Sequence, residues 1–169
     1  MPYTDLLRVT VLLTGAEATA LAAITAIAAN READTITLIV AAAWWLLALA
    51  IGLYLGRPAR AADALRNTLA SARTATSLPP ETPARIAFTR LWPIALTAIA
   101  AGALGVFFPG VAAVGAGYAL LVSLAWHTRE TAVLAIEQRD GVRFYVVPNS
   151  AFRPIQLVRT PGLRSSPVR

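Results

Sequence analysis

Four runs of the chain are long and largely apolar: residues 9–29, 36–56, 91–108 and 111–126. A helix that crosses a bilayer needs about 20 mostly apolar residues, within a range of about 17 to 25. The second run meets this without a single charge. The third and fourth are shorter and are split only by Pro109 and Gly110, which predicts a tight helical hairpin. One continuous helix through Phe108-Pro109-Gly110 is not credible, because proline breaks a helix interior. The pattern predicts an all-α integral membrane protein with four transmembrane helices arranged as two hairpins. It divides the chain into a first hairpin at 1–56, an Arg-rich connector at 57–90, a second hairpin at 91–128 and an Arg-rich tail at 129–169.

The polar segments carry patterns of their own. Pro58 suits a helix start, and Ala62, Leu65, Leu69 and Ala72 then share one face, with Arg66, Asn67 and Arg73 elsewhere. This predicts a short amphipathic helix ended by Pro79 and Pro80, either lying on the inner leaflet or acting as a solvated connector. In the tail, 133–138 and 142–147 are β-prone runs flanking Arg139-Asp140-Gly141, and Asp-Gly is a hairpin turn signal. Beyond Pro148 the apolar residues Phe152, Ile155, Leu157 and Val158 are too few for a core. A lone hairpin is marginal in water. The tail is therefore expected to dock, on its own inner loop, on a neighbouring protomer or on another protein.

Composition agrees with a membrane location. Of 169 residues, 57% are hydrophobic and 14% charged, where soluble domains carry about a quarter charged residues. There is no cysteine, so no disulfide scaffold is possible. Every basic residue is Arg, and with the abundance of Ala this reflects the codon usage of a GC-rich genome. The net charge of +6 raises nucleic acid as a partner, but the Arg residues track the ends of the spans and lack interleaved stacking aromatics. All of them except Arg31 fall before span one, between spans two and three, or after span four. The positive-inside rule then places both termini in the cytoplasm of a multi-pass protein of the inner (plasma) membrane. Span one is expected to be retained rather than cleaved, since its leading segment has no excess of base and Glu17 interrupts the apolar run. A faint echo links the halves: residues 24–29 read ITAIAA and residues 96–101 read LTAIAA, and the same offset carries Arg57 onto Arg129. It would fit a parallel repeat, or a chance match between Ala-rich helices.

Glu17 is the main chemical candidate. It lies eight residues into span one, about 12 Å of helix rise past Val9. An ionised carboxylate at that depth costs several kcal/mol unless it is paired or wetted. Thr10, Thr14, Glu17 and Thr25 share one face at about 100° per residue, which predicts an ion or proton pathway facing the bundle interior. The plainer alternative is interhelical hydrogen bonding alone. Span four offers Ala112, Ala116, Ala119, Ser123, His127 and Glu130 on one face. His127 with Glu130 and Ser123 is a candidate pH-sensing group, or an interfacial one beside Trp126. Arg57, Arg60, Arg66 and Arg73 are candidates for contact with anionic lipid headgroups. Trp44 and Trp45 lie mid-span, and Pro93 is expected in the first turn of span three. No metal-ligand spacing, phosphate-cradling loop or cofactor motif appears, so no metal or cofactor is expected.

Three functions are compatible with these features. The first is an oligomeric channel or carrier for a small ion or solute, using the Glu17 carboxylate. The second is a non-catalytic accessory or scaffold subunit of a larger membrane complex, docking through its tail. The third, a lipid-modifying enzyme, would have only His127, Arg129 and Glu130 as a candidate trio.

Overall fold

The computed structural model describes residues 1–70, 72–74 and 82–161, with the side chains of 61–64, 67, 73–74 and 161 left aside. Four of its helices are long and apolar enough to cross a membrane: α1 (Tyr3–Arg31), α2 (Thr35–Leu55), and two that follow the connector. Helix α3 (Pro58–Ala70) and the two-residue strand β1 (Arg73–Thr74) occupy that connector. The second pair is α4 (Pro83–Gly105) and α5 (Pro109–Trp126). Helix α6 (Arg129–Asp140) and strands β2 (Val142–Val146) and β3 (Leu157–Pro161) complete the chain.

Local chemistry sets the breaks. The Asp34 carboxylate caps α2, accepting from the Thr37 backbone N–H at 3.0 Å and from the Thr37 hydroxyl. Pro109 opens α5 at its first turn, after an extended Phe108, and forms the tight turn expected between spans three and four. Helix α4 begins earlier than the apolar run suggests. Arg85 and Arg90 lie in its first turns, and Pro93 falls inside the helix rather than at its start. Helix α3 starts at Pro58 as expected but ends at Ala70; Pro79 and Pro80 lie outside the described residues.

Helix α5 is the centre of the helical layer, packed against α1, α2 and α4, while α2 and α4 scarcely touch. A two-fold repeat would match the extensive α1–α5 contact with an equal α4–α2 contact, so the packing does not carry the symmetry that the sequence echo suggests. Small residues let the helices approach. A Cβ on Gly52 would lie 2.9 Å from Leu124 Cβ, and one on Gly56 would collide with the Leu124 carbonyl oxygen. Gly117 lies directly under the Trp44 indole. The Trp45 indole N–H donates to the Ala113 carbonyl at 2.9 Å and that of Trp44 to Val114 at 3.3 Å, so both tryptophans serve packing between helices. Thr128 Oγ1 donates to the Gly56 carbonyl at 2.6 Å and Ser123 Oγ to the Val11 carbonyl at 3.3 Å.

The chain is mostly helical, as expected, but the Arg-rich end is a separate layer in which a small sheet joins the helices. A three-stranded sheet runs in the order β1-β3-β2, with β1 parallel and β2 antiparallel to β3. The predicted tail hairpin is absent. Its first arm is helical, within α6, and Gly141 is the left-handed C-cap (φ 62°) of that helix rather than a hairpin turn. Strand β2 pairs instead with β3, from Val142–Pro161 to Val146–Leu157. The N-terminus joins the same edge: Pro2 bridges to Tyr145, and Val146 N–H donates to the Met1 carbonyl at 3.0 Å. The core beneath the sheet contains Leu7, Leu65, Ile86, Val133, Phe144 and Val146, with Leu69, Ile136 and Ile155 packed against it. The apolar face of α3 is thus turned into the chain's own core rather than outward. The apolar tail docks on the chain's own connector and N-terminus, one of the three options the sequence left open.

Candidate functional site

Thr10, Thr14 and Thr25 of α1 are buried, and the helix itself satisfies their hydroxyls. Thr10 donates to the Leu6 carbonyl at 2.7 Å, Thr14 to Thr10 at 2.9 Å, and Thr25 to Leu21 at 2.9 Å. A threonine on a helix can bond the carbonyl one turn back, which hides its donor from the surroundings. Glu17 has no such option. It is half-buried, and its Oε1 is buried without a hydrogen-bond partner among the described residues.

Glu17 lines a cavity of about 300 Å³ between α1, α4 and α5. Thr14 and Leu21 share its α1 wall, and Ala98 and Ala101 come from α4. Gly115 keeps the α5 wall open, since a Cβ there would lie 3.0 Å from Leu21 Cδ1 and 3.4 Å from Ala101 Cβ. Thr97 and Tyr118 also line the cavity and are exposed, so it opens sideways between α4 and α5. The Thr97 hydroxyl is donated to the Ile94 carbonyl at 2.8 Å, and the Tyr118 ring meets Trp44 edge-on at 5.3 Å. The structure therefore brings Thr14 and Glu17 to one cavity, while Thr10 and Thr25 do not line it. Thr97 and Tyr118 were missed by sequence reasoning. A lone Thr and a lone Tyr in apolar runs carried the signal, but their proximity to Glu17 depends on how α4 and α5 pack on α1. Chemically, the cavity presents apolar walls and one carboxylate oxygen able to accept a proton, a hydrogen-bond donor or a cation.

The second candidate group does not assemble. Ser123 is a contact between α5 and α1, bonded to Val11. His127 is exposed at the end of α5, its Nδ1 2.9 Å from the Leu124 carbonyl oxygen. Among the described residues no hydrogen bond or ion pair links His127 with Glu130.

The arginines divide by environment. Arg57 and Arg60 both stack on the Tyr54 ring, at 4.9 and 4.2 Å, and Arg60 Nη2 donates to the Tyr54 hydroxyl at 2.7 Å. Arg66 is exposed on α3. Arg73 supplies backbone to β1, and its side chain lies outside the described residues. Arg129, not among the expected headgroup contacts, stacks on Trp126 at 4.4 Å with its Nε buried and without a hydrogen-bond partner. Arg90 reaches the tail, donating to the Arg153 carbonyl at 2.7 Å.

No protein-family model, no curated protein and no solved structure matches the chain.

Proposed function

We propose that the chain is a small transport protein of the inner membrane that carries a proton or small cation by way of the Glu17 carboxylate, acting as a homo-oligomer with both termini cytoplasmic. The observation that carries this proposal is the buried Glu17 Oε1, without a hydrogen-bond partner among the described residues, on the wall of a cavity within the helical layer. Acids at such depth are rare because they are costly, and they mark ion and proton paths. The α1 wall from Thr14 to Leu21 covers about 10 Å of helix rise, a third of the roughly 30 Å hydrocarbon thickness. One copy thus encloses a binding position rather than a continuous pore. The sideways opening between α4 and α5 favours a carrier, or a path completed by a second copy. An accessory role has less support, because the apolar tail residues that would seek a partner, Leu157 and Ile155 among them, pack within the chain.

Flux of protons and small cations into liposomes containing the purified protein, compared with Glu17→Gln between pH 5 and 8, tests this proposal. Wild type is expected to conduct with a pH dependence that the variant loses. Folded wild-type protein without flux, or equal flux in both forms, would remove the carboxylate from the transport path and restore the accessory role.

A further inference from the structure

A second concavity, larger than the Glu17 cavity, lies where α2 and α5 end at the Arg-rich layer. It is a groove of about 590 Å³ with Leu55, Leu121 and Val122 on its walls and Arg60, Trp126 and Arg129 also lining it. The two arginines come from different elements, α3 and α6, yet converge on one opening. Each guanidinium is held in place. Arg60 is fixed by the Tyr54 hydroxyl and ring, and Arg129 lies flat on the Trp126 ring. Among the described residues neither forms an ion pair with a carboxylate, and Arg129 Nε is a buried donor without an acceptor. Burial also works against the Arg129 charge, pushing its pKa down. A desolvated guanidinium is expensive to keep unless an anion meets it. Planar guanidinium groups match phosphate oxygens in pairs.

The rest of the groove is apolar and follows the α5 axis away from the arginines. From Trp126 to Leu121 is about 7 Å of helix rise, which suits a glycerol backbone and the first methylenes of an acyl chain. Leu55 is 39% exposed, so the wall opens to the side of the bundle, where lipid would reach it. A free phosphate would use the arginines and leave the apolar wall unexplained. A peptide would need backbone partners, and the groove walls are helical. From this juxtaposition of two fixed arginines with an apolar lateral groove, we infer that the α2–α5 groove binds one anionic phospholipid, with its phosphate between Arg60 and Arg129 and an acyl chain along Leu121 and Val122. The site is independent of transport through Glu17.

Native mass spectrometry of the full-length protein in detergent tests the inference, with phosphatidylglycerol and phosphatidylcholine of matched chains offered together. One phosphatidylglycerol per copy should be retained in preference to phosphatidylcholine. Each guanidinium near such a headgroup contributes enough that R60Q/R129Q should weaken retention by about tenfold or more. R139Q/R153Q removes the same charge from exposed positions that do not line the groove, and should bind as wild type does. Leu55→Glu keeps both arginines but sets a carboxylate on the exposed wall. It should lose the lipid while circular dichroism and melting stay unchanged, which decides the matter even if the double Arg variant folds poorly. Equal retention of the two lipids, or wild-type binding by both R60Q/R129Q and Leu55→Glu, would overturn the site. Competition by glycerol 3-phosphate as effective as by phosphatidylglycerol would also overturn it, by making the ligand a free phosphate.

Discussion

The helical layer and the Arg-rich layer are packed by opposite rules. At the Arg-rich end large side chains are inside: Leu7, Leu65, Val133 and Val146 are each at most 1% exposed. In the helical layer the buried positions are Ala, Gly, Thr and Pro109, and among the described residues Leu21 is the single large side chain fully inside. Its large residues point outward instead, with Ile36 at 75%, Phe107 at 73% and Ile99 at 69% exposure. Water drives the first arrangement, because about 25 cal/mol is gained per Å² of apolar surface removed from it. In lipid that gain vanishes, and helices hold together through close approach and a few polar contacts. An apolar outer surface of that extent is not tolerated in water. The contrast fits a helical layer built for lipid and a sheet-bearing layer built for water, and it says where substitutions will be felt.

The largest effect is expected in the sheet-bearing layer. Phe144→Ala should destabilise it by about 3–5 kcal/mol, the usual cost of emptying an aromatic from a tight core. Hydrogen exchange of the β2 amides reads this directly, and protection should drop by at least a hundredfold. Ile99→Ala removes a similar apolar group from the outer face of α4 and should leave the same amides unchanged. If both substitutions cost alike, the two layers would share one packing rule and the contrast would be broken.

A smaller effect sharpens the rule within the helical layer. Gly117→Ala introduces a methyl where the Trp44 indole already lies, and overpacking of that kind costs about 1–3 kcal/mol. Gly110→Ala meets nothing within 4 Å and should be neutral or slightly stabilising, since Ala is the better helix former by up to about 1 kcal/mol. Thermal melting in detergent separates the two. Trp44→Ala should relieve the Gly117→Ala defect, giving a coupling that a double-mutant cycle detects. Without that coupling, the α2–α5 seam would not be set by this contact.

The same contrast explains what was legible in the sequence. The four apolar helices and the α4–α5 turn at Pro109 follow from length and hydropathy, which act locally. So does the start of α3 at Pro58. The α6 segment was misjudged because Val133 and Ile136 suggested a strand and Asp140-Gly141 suggested a turn. Glu130, Ala132, Leu134, Ala135 and Glu137 are all helix formers, and a glycine after such a run serves equally as a left-handed C-cap. The pairing of β3 with β1 joins distant segments, Arg73 with Val158 and Thr74 with Arg159, and no local pattern encodes it. At the candidate site, Glu17 stood out because a carboxylate in an apolar run is conspicuous. The identity of its neighbours depends on interhelical packing, which left Thr97 and Tyr118 unread and credited Thr10 and Thr25 with proximity they lack.

Two half-buried carboxylates, Glu17 in the helical layer and Glu137 in the Arg-rich layer, differ in the same sense. Glu17 Oε1 has no partner among the described residues, whereas Glu137 Oε1 accepts the Phe144 backbone N–H at 2.9 Å and ties the end of α6 to β2. Burial raises the Glu137 pKa above the ordinary glutamate range, opposed by that hydrogen bond and by Arg143. The folded layer therefore holds a proton at pH values where the unfolded chain has released it. Its contribution to stability is complete below the unfolded pKa and is lost as pH rises through the folded one. Glu137→Gln keeps an oxygen that can accept from Phe144 but cannot ionise. Urea unfolding of the sheet-bearing layer between pH 4 and 7.5 should show a shallow decline with rising pH in wild type and a flatter line in the variant, the two agreeing at the acid end. A wild-type stability that instead falls toward acid through this group would mean that the ionised form, held by Arg143, is the one the fold prefers. Burial would then not be the dominant influence on Glu137, and the two carboxylates would differ by their charged neighbours rather than by their solvent.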